Sequence, residues 1–298
     1  MKLYKYIKAL PYNEPKVNGH LINTKLFDAL VNSRIFFSHP ASFNDPFECV
    51  IPIKIDNYEK NSSAYLEFIK ELLKERIGED TSIRMKRINE VINFGMPLEN
   101  CLVACLSTRK NNSLMWSHYG DQYRGICLCY EFPDNKEKFD NNISWSPEVL
   151  SLKKNGLEYY TNSVKYIKKR PSLEIENTSL QIKQWKFRND CEINNIVFTK
   201  PNFWSYEHEW RIALILPFNC NRGFASGIDT SDYYMTIPKK WLKQITFGFR
   251  LENQYCQDII NILNENGYKN VSINKIETNH DTFELSTLPY IATIKKRN

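Results

Sequence analysis

Short apolar and alternating runs recur along this chain: KLYKYI, RIFFS, VIPIKI, ENCLVACLST, YRGICLCYEF, NSVKYI, WSYEHEWRIALIL, YYMTIP, QITFGFR, VSINKIE and ELSTLPYIATI. Runs of this length, bounded by Gly, Pro, Asn or Asp, read as strands. Helical spacing appears in LFDALVNS, in SAYLEFIKELLKERI with TSIRMKRINEVINF, and in TSLQIKQWKFRNDCEINNIVFTK, which ends near Lys200 before Pro201. It returns in NQYCQDIINILNENGY, where Gly267 supplies the stop. Strands outnumber helices, and helices separate only some of them. That pattern predicts an α+β fold, a mixed and mostly antiparallel sheet with flanking helices. It is expected to form a single domain over residues 1–298. A helical insertion is expected at about 62–95 and a polar, irregular excursion at about 133–163.

Composition narrows the classes. The formal charge of +6 permits an anionic partner, a nucleotide or nucleic acid, without demanding one. The aromatic content (17 Phe, 17 Tyr, 6 Trp) suits both a core and a ligand pocket. Eight cysteines sit mostly in apolar runs, no Cys-x-x-Cys spacing occurs, and the five histidines are scattered, so no metal is expected. MKLYKYIKAL has no apolar signal core, and no run of 18 apolar residues exists. The expectation is therefore a cytoplasmic protein with reduced thiols and no membrane contact. Neither GxGxxG nor GxxxxGK[ST] is present.

Polar chemistry collects in four stretches at strand ends: Tyr4, Lys5 and Tyr6; Ser38, Asn44, Asp45 and Glu48; Trp116, Ser117, His118 and Tyr119; and Trp204, Tyr206, Glu207, Glu209 and Arg211. SHPASFNDPFE reads as a pocket wall. Pro40 and Pro46 stiffen it, Phe43 and Phe47 anchor it, and Asn44, Asp45 and Glu48 face inward. Read as one strand, YEHEWR puts Glu207, Glu209 and Arg211 on a single face and Tyr206, His208 and Trp210 on the other. Plainer readings stand beside these: Asp45-Pro46 as a turn opener, His118 as a packing residue, and the two glutamates as a solvent-facing charged strand. The candidate catalytic groups are Glu209, Glu207 and His118. Tyr4, Lys5, Tyr6, Ser38, Asn44, Asp45, Glu48, Trp116, Tyr119 and Arg211 are the candidate substrate contacts.

LYKY, IFFSHPASFNDPFE, LMWSHYGDQYRGICLCYEF, VKY and YEHEWR, in that order, resemble the bacterial family known as domain of unknown function 2971. The order LYKYI, RIFFS, YEHEWR is also similar to that of ADP-ribosyltransferases, with Lys5 standing where those carry His or Arg. This second resemblance implies a split sheet and NAD as substrate, in an enzyme of toxin or phage-defence type. It also implies Glu209 stabilising the ribosyl cation, Glu207 positioning the acceptor, Tyr119 or Tyr6 on nicotinamide and Lys5 at the pyrophosphate. An accessory or antitoxin protein would be in keeping with it. Two alternatives stay open. One is a hydrolase or nuclease using His118, Asp45, Glu48 and Glu209 around Mg²⁺ or Mn²⁺. The other is a nucleotide-binding module without turnover.

Overall fold

The computed structural model describes residues 1–9, 23–55, 62–74, 96–98, 100–175, 195–216 and 229–291, with Asn89 and Val91. Eight strands form the main sheet: β1 (Lys2–Ile7), β2 (Cys101–Ser107), β3 (Ile126–Glu131), β4 (Glu158–Ser163), β5 (Glu209–Ile215), β6 (Leu242–Phe247), β7 (Ser272–Thr278) and β8 (Leu285–Pro289). Their order is β8-β7-β6-β3-β1-β2-β5-β4, and every pair is antiparallel except β6–β7. The parallel pair is joined by the helix Asn253–Glu265, because a parallel connection needs a crossover. Gly267 follows that helix at φ 71°, the left-handed stop expected of it. The fold is α+β, as the pattern of runs predicts.

The sheet is nearly cut in two. β1 pairs with β3 over six residues but with β2 only at Tyr4–Ser107. The rest of the inner edge of β2 is satisfied piecemeal. Lys5 Nζ donates to the Cys105 carbonyl at 2.8 Å. Ser38 and Val103 exchange backbone hydrogen bonds at 2.9 Å. Just beyond β2, the Tyr6 hydroxyl donates to the Lys110 carbonyl at 2.7 Å. A five-stranded leaf and a three-stranded leaf therefore meet along a seam held largely by side chains.

One face of both leaves carries the main core. Leu26, Ala29 and Leu30 of the helix Thr24–Val31 and Cys256, Ile259, Ile262 and Leu263 of Asn253–Glu265 pack there on Leu3, Leu102, Ala104, Leu106, Leu128 and Ile212. The opposite face holds two smaller cores. One, around Cys49, Leu98, Val103, Val197 and Ala213, covers the three-stranded leaf. The other, around Tyr6, Met115, Trp116, Cys127 and Ile276, covers the five-stranded leaf.

Several expectations change. VIPIKI is two short strands, Val50–Ile51 and Ile53–Ile55, divided at Pro52, whose missing N–H interrupts a ladder. The excursion at about 133–163 is ordered, with helices Lys136–Asp140 and Pro147–Lys154, the strand Ser144–Trp145, and β4 completing the main sheet. Asn135 and Ser146 cap the two helices, so polar residues of this stretch act as helix start signals. Of the expected insertion, Ser63–Lys74 is helical. The second helix there, with Arg84, Lys86 and Arg87, lies outside the described residues, as does most of the helix expected before Lys200. Lys200 itself is on a strand, Thr199–Pro201, paired in parallel with Lys165–Ile167. The six cysteines among the described residues are free thiols. No helix among them is long and apolar enough to cross a membrane.

Candidate functional site

Between the two smaller cores, at the seam, lies a cluster of buried charge. Three carboxylates, Glu48, Glu207 and Glu209, surround Lys200 and Arg211, and all five residues are nearly sequestered from solvent. Arg211 and Glu209 are i, i+2 on β5 and share a strand face. The guanidinium grips both oxygens of Glu209, Nε to Oε1 at 2.9 Å and Nη2 to Oε2 at 3.0 Å. The same guanidinium donates to Glu48 Oε1 and to the Val197 carbonyl. Lys200 Nζ reaches Glu207 Oε2 at 2.6 Å, Glu209 Oε2 at 3.2 Å and Glu48 Oε2 at 3.2 Å. Tyr119 closes the shell, donating to Glu207 Oε1 at 2.6 Å. Every oxygen of the three carboxylates therefore has a partner.

Glu207 is not on the strand. It ends a short 3₁₀ helix, Asn202–Glu207, and His208 then takes a left-handed conformation, φ 44° and ψ 51°, before β5 starts at Glu209. Alternation is broken at His208, and the two carboxylates meet because Lys200 lies between them. The reading of one strand face for Glu207, Glu209 and Arg211 therefore holds only for the last two.

Burial is the largest influence on these groups. It raises Glu209 to about 7, with Glu207 adding to the rise and Lys200 opposing it. Burial alone would lower Lys200, but Glu209 and Glu207 outweigh it and raise the ammonium. Arg211 is pulled down by burial to about 9, still charged at neutral pH. Burial and then Glu207 raise the Tyr119 phenol, so it remains a donor.

The remaining candidates divide. Asn44 is exposed and stands at the outer edge, its Nδ2 3.4 Å from the Tyr119 hydroxyl. His118 is exposed, its ring against Tyr119 and Tyr206 at 6.4 and 6.2 Å. Trp116 is fully buried, edge-on to Tyr6 at 5.3 Å and donating to the Lys110 carbonyl, which makes both rings core pillars. Tyr4 is half-buried beside Cys129, and burial pushes its phenol up to about 12. Lys5 and Ser38 serve the seam. Asp45 Oδ1 accepts from the Phe47 amide at 2.9 Å, closing its own turn, the plainer reading of Asp45-Pro46. Phe47, expected as an anchor, is 43% exposed, and Glu48 makes the inward contact instead.

Sequence reasoning missed Lys200 and Tyr166. The Tyr166 hydroxyl accepts from the Glu209 amide at 2.8 Å, and the parallel pairing places Tyr166 beside Lys200. Two signals were available: the VKY motif, whose tyrosine is Tyr166, and Lys200 before Pro201, which reads equally well as a helix terminus. Among the described residues, no group of three or more His, Cys, Asp or Glu is placed to hold a metal ion.

An α+β molecule with a sequestered ion cluster at the seam of a split sheet is the class this structure defines. Residues 115–212 match the family model described as Protein of unknown function (DUF2971). That segment holds MWSHY, GDQYRG and EHEWR, so the match supports the family resemblance over about a third of the chain. No curated protein and no solved structure matches the chain. The ADP-ribosyltransferase resemblance receives no support from the comparisons.

Proposed function

We propose that this protein acts on a nucleotide at the outer end of the ion cluster, with NAD the first candidate substrate. The observation that carries this is Glu207. Its carboxylate is held at 2.6 Å by both Tyr119 and Lys200, at the edge where Asn44 and the Tyr206 and His118 rings approach solvent. A carboxylate fixed in a low-dielectric setting stabilises positive charge that develops beside it. Cleavage of the nicotinamide–ribose bond develops such charge. The C1′–N bond breaks with its electron pair leaving on nicotinamide. Water or an acceptor hydroxyl forms the new C1′–O bond, and its proton passes to solvent. Glu207 then faces the ribosyl cation, Tyr119 orients it, and Glu209 with Arg211 fixes Lys200 from behind. A second reading, a binding module without turnover, is favoured by the full engagement of every carboxylate oxygen.

Incubation with NAD, followed by chromatography for nicotinamide and ADP-ribose, tests both. Glu207→Gln is expected to abolish turnover, and Tyr119→Phe to lower it at least tenfold while also lowering the melting temperature, since a buried Glu207 oxygen loses its donor. A rise in melting temperature with NAD and no product would select the binding module. Neither product nor a thermal shift, with NAD or other nucleotides, would remove the proposal.

A further inference from the structure

Five rings stand in sequence over the cluster. Phe203, Trp204, Tyr206, His118 and Tyr119 are neighbours in turn, with centroids 5.9, 5.9, 6.2 and 6.4 Å apart. Phe203 is 68% exposed, and its ring covers no core. Leaving a large ring in water costs hydrophobic free energy and contributes nothing to folding.

Basic residues flank this row. Ile167 pairs with Pro201 at the end of a parallel ladder, so the exposed Lys168 and Lys169 leave it next to the point where the ring-bearing 3₁₀ helix starts. Midway along the row, Asn112 Nδ2 donates to the Tyr206 carbonyl at 2.8 Å, and the Thr108 amide donates to the His208 carbonyl. That fixes the loop carrying Arg109 and Lys110 near the Tyr206 segment. Four acidic groups near the row are withdrawn from solvent: Glu48, Glu207 and Glu209 are paired in the cluster, and Asp121 is buried against Arg124 at 3.3 Å.

We infer that this surface binds single-stranded nucleic acid, bases stacking on the rings and phosphates meeting Lys168, Lys169, Arg109 and Lys110. Sequence-tolerant strand binding combines aromatic platforms with a basic track in this way. A duplex keeps its bases stacked on one another and cannot use the rings. The inference extends the nucleotide reading to a strand, but it rests on the rings and not on Glu207.

Fluorescence anisotropy with a labelled 12-nucleotide RNA, the same sequence in DNA, and the corresponding duplex provides the test. The single strands are expected to bind at least tenfold more tightly than the duplex. Four neutralised phosphates imply a log–log salt slope of about −3, from roughly −0.7 per phosphate. Phe203→Ala removes a largely exposed ring outside the cores, and is expected to weaken binding about five- to hundredfold. Lys168→Glu with Lys169→Glu should weaken it and flatten the salt slope. Glu207→Gln should leave strand affinity within twofold, whatever happens to NAD. Absence of single-strand binding at low salt, or a Phe203→Ala affinity within twofold of wild type, would overturn the inference.

Discussion

At the scale of single residues, Lys200 decides whether the cluster can exist. Three carboxylates in a low-dielectric interior repel one another, and each pays desolvation as well. Arg211 answers Glu48 and Glu209, whereas among the described residues Glu207 is held by Lys200 and the Tyr119 hydroxyl. Lys200→Met is therefore expected to lower unfolding free energy by about 3–5 kcal/mol in urea titration, the usual cost of breaking a buried pair from one side. The sign of the pH effect at Glu209 follows from its raised value. Folded Glu209 binds a proton more tightly than unfolded Glu209, so its contribution is most favourable at low pH and declines as pH rises to about 7. Comparing wild type with Glu209→Gln by urea titration from pH 4.5 to 7.5 isolates this slope. Wild type should gain on the variant toward acid, opposite to an ordinary surface ion pair.

At the scale of elements, the turn in GDQYRG concentrates backbone strain. Asp121, Gln122 and Tyr123 lie consecutively at φ 51°, 52° and 68°, a left-handed turn built without glycine. Each such residue costs about 1–2 kcal/mol relative to the right-handed form. Packing imposes the geometry: a Cβ on Gly248 would lie 2.0 Å from the Tyr123 carbonyl oxygen, so the turn is pressed against that strand end. Exposed Gln122→Gly should raise unfolding free energy by up to about 1 kcal/mol, while Gly248→Ala should lower it by about 3 kcal/mol. Thermal denaturation of both variants checks the pair. Elements such as β2, β3 and the Asn253–Glu265 helix were legible because local periodicity matched their final environment. The Thr199–Pro201 strand was not, because its pairing with Lys165–Ile167 is a contact between distant segments that a local pattern does not record. Glu48, Glu209 and Arg211 were legible as a set from their polarity beside apolar runs. The left-handed step at His208 left no trace in residue type, so Glu207 was assigned to the wrong element.

At the scale of the whole molecule, the seam is the feature to test. Across it β1 and β2 share one residue pair, whereas β2 and β5 share seven. Cooperative opening follows contact density, so the two leaves should behave as separate units in native-state hydrogen exchange. Amides of β2 and β5 should exchange with one free energy and those of β3 and β6 with another. Lys5→Met leaves the Cys105 carbonyl without its donor and should accelerate exchange on the β2 side first. A single common exchange free energy for both leaves would argue against this division.

The position of β1 also bears on how the chain is made. It sits in the middle of the sheet, yet the strand it pairs with most fully emerges from the ribosome roughly 120 residues later, about 6–25 s at ordinary elongation rates. During that interval an amphipathic, tyrosine-bearing segment has no native neighbour. Its safekeeping then falls to whatever meets nascent polypeptides, and the yield of folded molecules becomes sensitive to the speed of translation.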